Sequence, residues 1–548
     1  MEPTDIQRDI IANPSNTIVL ASPGSGKTFI MSEKIRKVFE GGELLDYQGV
    51  IALSYTRKAS ANLKRRTLTK GTNSGSSYFG TIDSFCLTQR VLPFGKYVFG
   101  NSVREVAPLF IRDLNDDRRI DFEWIDMIHP AYESINTAAW DNLKQLYTDG
   151  YVLVESLEVL ALHIIRQSIA CRRYLSARYR YIFIDEYQDA DCYTDGVFRE
   201  LIAMGMIGVA VGDANQSIFG FSHKVSKYLT NLRDDPSFRY YALNESHRCS
   251  VPIINYSNRL LGKNSTILPT DKDGIYLMHV DGAEERAAEV ISACVSELCN
   301  QHCVRNLSDI AVLVRNSRTL QILDESLTIP HRVLETTILE MDMNLRSRLY
   351  SQLLTYYFDS KMPFLQVVDE YVDYGNLPSS IRQRLLELEH KIKEVPEDNV
   401  TLLCELFVAI ANLLLPHTKD SGSNAKLEAV LANEKLYNTY RPFNDNEIVL
   451  MTLHKSKGLE FEVVFHMNLN EWELPYQKVE NGDFNNPIYY DFEQDLNLHY
   501  VGITRAKSQC FLITTSYRTN KNGETKMSKP SVLLNINSLQ SLRREYNV

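Results

Sequence analysis

The 548 residues contain no apolar run long enough to cross a membrane: the most apolar stretch, Thr401 to Pro416, carries Glu405 and Asn412. The opening residues do not read as a secretory signal. The nine cysteines (Cys86, Cys171, Cys192, Cys249, Cys294, Cys299, Cys303, Cys404 and Cys510) are odd in number and mostly scattered, which argues against a disulfide framework. A reducing cytoplasm is the expected location. Positive charge is also scarce, since 59 Lys and Arg against 69 Asp and Glu leave a net charge of -10. That balance disfavours nucleic-acid binding by bulk charge alone. Local basic groups (Arg57, Lys58, Lys64, Arg65, Arg66, and then Arg166, Arg172, Arg173, Arg178, Arg180) read individually as solvated helix faces. Also missing are a sustained repeat, a Ser-His-Asp set and a nuclease carboxylate array. Cys294, Cys299, His302 and Cys303 lack a paired C-x-x-C spacing and fall in a helical pattern, Ala283 to Val304, so their expected role is structural.

What is present is the composition of a globular chain, 44% apolar and 23% charged, of a length that suggests several domains. Short apolar runs end abruptly in Gly or polar residues, the pattern of buried parallel strands feeding loops. Thr17 to Leu20, Val50 to Leu53, Tyr181 to Ile184 and Gly208 to Val211 form one set; Ile310 to Val314, Val463 to Phe465 and Cys510 to Ile513 form a second. Helical patterns separate them, which predicts two α/β sheets with ligands gathered at the strands' carboxyl ends. Residues 95 to 175 and 326 to 439 show helical spacing instead and read as mainly helical insertions. Gly71 to Ser77 and Thr519 to Lys529 read as flexible.

The loop Ala21-Ser22-Pro23-Gly24-Ser25-Gly26-Lys27-Thr28 has Walker A spacing, with Ala at its first position. Gly24 and Gly26 allow backbone N-H groups to face phosphate oxygens at a helix amino terminus. Lys27 is expected to reach the β and γ phosphates of ATP, and Thr28 to ligate Mg²⁺. Asp185 and Glu186 end an apolar strand. Asp185 is the candidate metal ligand, and Glu186 the candidate base that polarises the attacking water.

With Tyr187-Gln188-Asp189 the acidic pair completes Asp-Glu-Tyr-Gln-Asp, and there the chain resembles the superfamily 1A DNA helicases of the UvrD, Rep and PcrA type. The resemblance spans most of the sequence. It implies that Gln7 reads adenine, that Tyr55 and Thr56 (in Ser54 to Ala59) and Thr81 and Phe85 (in Gly80 to Phe85) contact DNA, and that Gln216 senses the γ phosphate. Phe219 and Phe221 resemble base-stacking positions. Arg248 matches the motif IV arginine, with His247 where the family usually stacks a Tyr on the base. In Thr452 to Phe461, Glu460 matches the ribose position and His454 a DNA-facing one; in Tyr500 to Lys507, Arg505 matches the arginine finger.

The implied architecture is α/β: two RecA-like parallel-sheet domains of the P-loop NTPase type with two mainly helical insertions. Its divisions are 1–94 with 176–246, an insertion at 95–175, 247–325 with 440–548, and a reduced insertion at 326–439. The implied activity is a Mg²⁺- and ATP-dependent motor moving 3'-5' on single-stranded DNA and engaging 3'-overhang duplexes, without a membrane. Compact relatives of this type include helicase subunits of Gabija-type antiphage systems, which implies a nuclease partner; repair is the other role the family offers. Departures include Ser222 where Arg is usual, Phe29 after the phosphate loop, and Leu496-Asn497 before motif VI. These departures and the short insertion keep a rival reading open, an ATP-hydrolysing nucleic-acid sensor that signals to a partner nuclease without processive unwinding.

Overall fold

The computed structural model describes residues 2–548 except 69–73, 104, 219–225, 264–265, 301–303, 343, 360, 373, 417, 419–421, 480–486 and 521. Phe219, Phe221, Ser222, His302 and Cys303 therefore lie outside the described residues. Two all-parallel sheets dominate. The first contains β1 (Thr17–Ala21), β2 (Gly49–Ser54), β3 (Tyr78–Thr81), β4 (Tyr179–Ile184), β5 (Ile207–Gly212) and β6 (Arg239–Leu243), in the order β3-β2-β4-β5-β1-β6. The second contains β7 (Ile275–Val280), β8 (Ile310–Val314), β9 (His331–Val333), β10 (Ile448–Thr452), β11 (Phe461–His466), β12 (Ala506–Thr515) and β13 (Arg544–Asn547), in the order β9-β10-β8-β11-β12-β7-β13.

Parallel pairing needs crossovers that cover both faces of a sheet, so central strands are apolar throughout. Ile18, Val19, Ile182, Phe183 and Val211 have no exposure at all, and each such burial contributes about 1.5–3 kcal/mol. One face of the first sheet shares a continuous core with the helices of 95–175, through Leu146, Leu160 and Ile164. The other face packs Ile30, Met31 and Ile35 of the helix Lys27–Glu40. The second sheet is flanked by the helices Val251–Leu260 and Phe492–Ile503 on one face and by Glu284–Asn300 and Ser317–Ser326 on the other. Cys294 and Cys299 lie on Glu284–Asn300, packed against that core.

One boundary and one element differ from the sequence reading. His331–Val333 pairs in parallel with β10 and belongs to the second sheet, so the helical part of the 326–439 insertion begins at Ile338. Its helices form a core of their own around Leu349, Leu353, Phe407 and Leu427. Within 95–175 a short parallel pair, Ala107–Leu109 with Tyr151–Leu153, interrupts the helices. Arg348 of the later insertion donates to Ser84 Oγ at 3.0 Å, joining that insertion to the first sheet's edge.

Candidate active site

The phosphate loop leaves β1 at its carboxyl end, where Ser22 N donates to Leu243 O at 2.8 Å. Gly24 and Gly26 sit at φ of +74° and +90°, a region costly for any residue with a Cβ. A Cβ at Gly24 would collide with the Arg248 side chain and lie 2.7 Å from Ser246 Oγ. The loop is thus pressed against the segment that carries Arg248, and His247 N donates to Gly24 O at 2.9 Å. Gly26 caps the helix Lys27–Glu40 without a side-chain bond, so the first N-H groups and the positive end of the helix dipole serve the loop. Gln7 is 2% exposed. Its Oε1 accepts from Thr4 N at 3.0 Å and its Nε2 donates to Ser25 O at 3.1 Å. In this structure the Gln7 amide braces the loop.

Lys27 Nζ is buried, makes no hydrogen bond and stands 3.7 Å from Glu186 Oε2. Asp185 emerges at the end of β4, its Oδ1 accepting from Glu186 N at 2.9 Å. Glu186 adopts a left-handed conformation, φ +56°, which costs a non-glycine residue about 1–3 kcal/mol and persists where the surroundings enforce it. Burial and the adjoining Glu186 carboxylate push Asp185 above the usual carboxylate range. Burial pushes Glu186 the same way, but Lys27, Lys457 and the bond from Gln188 outweigh it and hold Glu186 below that range. Glu186 is therefore the more readily ionised of the two carboxyls and Asp185 the more readily protonated. A lysine whose ammonium makes no hydrogen bond, beside two glycine turns, suits phosphate oxygens. Asp185 with the Thr28 hydroxyl supplies the hard oxygen donors that Mg²⁺ takes alongside phosphate and water.

The second sheet closes the other side. Arg248 pairs with Glu460 Oε2 at 2.7 Å, and Lys507 reaches Glu460 Oε1 at 3.3 Å. Arg505, 2% exposed, donates to Val501 O at 3.1 Å, Leu459 O at 3.2 Å and Gln216 Oε1 at 3.2 Å. Burial, then the neighbouring Arg248, lower its pKa to about 10, so it stays charged at neutral pH. Gln216 Nε2 donates to Asp213 Oδ2 at 2.8 Å. A chain of polar contacts thus runs from the first sheet through Gln216 to Arg505. Lys457, to which the sequence reading gave no role, pairs with Asp189 and donates to Gln216 O at 2.8 Å. Its position inside Thr452 to Phe461 was the available signal.

The residues expected to face DNA separate. Thr56 and Thr81 are helix N-caps, accepting from Ala59 N and Ser84 N, each at 3.2 Å. The Tyr55 ring is half-buried and its hydroxyl donates to Asp189 O. His454 is neutral, drawn down to about 4 by burial and then by Arg315 and Lys457. Phe85 requires correction: it has no exposure and its ring lies 3.9 Å beneath the Arg90 guanidinium. It is a core residue that shapes the motif, because the short helix Ile82–Cys86 turns it inward. Among the described residues no group of three or more His, Cys, Asp or Glu is placed to hold a metal.

Comparison with known proteins agrees with this geometry. Residues 7–222 match an AAA domain model, and residues 347–517 match the UvrD-like helicase C-terminal domain. The chain is 26% identical to the Gabija protein GajB of Bacillus cereus over 95% of its own length and 98% of the relative's. It is 21% identical to the ATP-dependent DNA helicase PcrA of Bacillus subtilis over 96% of its length and 84% of the relative's. Against DNA helicase II of Escherichia coli the figures are 22%, 93% and 84%. A P-loop ATP hydrolase built from two RecA-like sheets, the chain is similar along nearly its whole length to the UvrD/PcrA-like helicases of superfamily 1A.

Proposed function

We propose that the chain is a Mg²⁺-dependent motor that uses ATP hydrolysis to move 3'-5' along single-stranded DNA and to open 3'-overhang duplexes. The observation that carries this reading is the polar chain Asp213–Gln216–Arg505, which joins the base-bearing sheet to the arginine-bearing one. Lys27 and the loop N-H groups hold the β and γ phosphates, while Glu186 accepts the proton of the attacking water. Thr28 and Asp185 would hold Mg²⁺, which would supply charge neutralisation on those phosphates. Arg505 and Arg248 stabilise charge on the γ phosphoryl oxygens, so nucleotide binding draws the two sheets together and phosphate release lets them part. The direction of movement rests on the family resemblance of the motifs alone.

The family resemblance links Gabija-type relatives to antiphage defence beside a nuclease partner, and the near end-to-end match to a Gabija protein favours that role over repair; the odd, scattered cysteines fit a reducing cytoplasm. Unwinding of a 3'-overhang duplex but not of a 5'-overhang duplex, dependent on ATP and Mg²⁺ and lost in Lys27→Ala, is the expected result. ATP turnover without displacement on either substrate, and without movement on single strands, would favour the sensor reading.

A further inference from the structure

The turn between β10 and β11 sends two lysines in opposite directions. Lys455 reaches the helical insertion, at 3.1 Å from Thr336 Oγ1 and 3.4 Å from Glu340 Oε2. Lys457 crosses to the first sheet, where it pairs with Asp189, a residue with no exposure, and donates to Gln216 O at 2.8 Å. Asp189 closes the turn Tyr187–Asp189 that begins immediately after Glu186, and Gln216 closes the turn Ala214–Gln216 after β5. One ammonium group therefore ties together the two turns that carry the base and the γ-phosphate sensor. Both ends of the Gln216 amide are committed, to Asp213 and to Arg505. Such a side chain spans its partners only while its own backbone is fixed. The group that fixes it comes from the opposite sheet.

We propose that Lys457 is a positioning residue for ATP hydrolysis, fastening the Gln216 backbone against the Asp189 turn so that Gln216 and Arg505 meet when the cleft closes. This assignment rests on the ATP-hydrolase reading and deepens it. Asp189 and Gln216 belong to the turns that carry the base and the γ-phosphate sensor and not to the phosphate loop, so loss of Lys457 should act on turnover more than on binding of ATP. An ammonium also suits two acceptors on different turns, since its three donors rotate freely.

The test is steady-state ATPase with saturating single-stranded DNA on Lys457→Met, Lys457→Arg and Lys457→Met/Asp189→Asn. The double variant also removes the buried carboxylate that has lost its lysine and so separates positioning from folding. We expect Lys457→Met and the double variant to lose about 100-fold in kcat with KM for ATP within about threefold of wild type, and Lys457→Arg to recover at least about tenfold. The double variant should melt with the wild type. A folded double variant with kcat within about threefold of wild type, or a loss confined to KM, would overturn the assignment. A wild-type protein without DNA-stimulated turnover would instead refute the ATP-motor reading on which the assignment rests.

Discussion

The Arg505 guanidinium donates to the side-chain carbonyl of Gln216 at 3.2 Å, although the two residues belong to different sheets. Arg505 also spends two further donors on Val501 O and Leu459 O, so its orientation is fixed before any phosphate arrives. A lysine cannot reproduce this planar three-way fit. Arg505→Lys should lower kcat by about 1,000-fold, in the range found for arginine fingers. ATP turnover measured beside nucleotide binding checks it: binding should fall far less than kcat.

Glu186→Gln keeps the shape of the acidic turn and removes the base. We expect kcat to fall by about 100- to 10,000-fold, the usual span for a general base, with ATP still bound. Retention of full turnover in this variant would contradict the role given to Glu186.

Gly24→Ala places a Cβ against Arg248 at a positive φ, so the loop and the arginine segment cannot both keep their positions. The expected result is a rise in KM for ATP of at least about tenfold, equivalent to about 1.4 kcal/mol. Gly42→Ala, also at positive φ but with open space around it, is the control for backbone strain alone and should leave KM near the wild-type value.

His466 and His499 form a buried pair, with His499 Nδ1 3.0 Å from His466 Nε2. Burial draws His466 down to about 4 and His499 well below its ordinary value, with His466 adding to the latter. Folded-state values below those of the unfolded chain mean that the unfolded state takes up protons first as pH falls. Their contribution to stability is thus whole above about pH 6.5 and is lost progressively toward pH 4. Denaturation midpoints at pH 7.5 and pH 5 should differ by more in the wild type than in His499→Phe.

Much of this fold was legible because central parallel strands are buried on both faces and leave apolar runs. Ile310–Val314 is an uninterrupted example, and the loop after β1 announced its own chemistry. Edge strands carried no such mark. All four residues of β13 are exposed, and its place is set by backbone pairing of Arg544 with Tyr276 and its neighbours. Arg239–Leu243 and His331–Val333 were passed over for the same reason, and the second of these moved an insertion boundary.

The site divides likewise. Lys27, Asp185 and Glu186 lie in contiguous patterns tied to one strand end each. The partnership of Lys457 with Asp189 and Gln216, the bracing of the phosphate loop by Gln7 and the burial of Phe85 under Arg90 depend on distant segments meeting, which spacing along the chain does not encode.

The central claim is that ATP hydrolysis between these two sheets drives directed movement on DNA. Its most direct test is stopped-flow translocation on single strands of increasing length, labelled at one end, with Mg²⁺ and ATP. The account predicts that arrival at a 5' label is delayed in proportion to strand length and that a 3' label shows no such delay. Arrival times independent of length at both ends, with ATP still being hydrolysed, would contradict it.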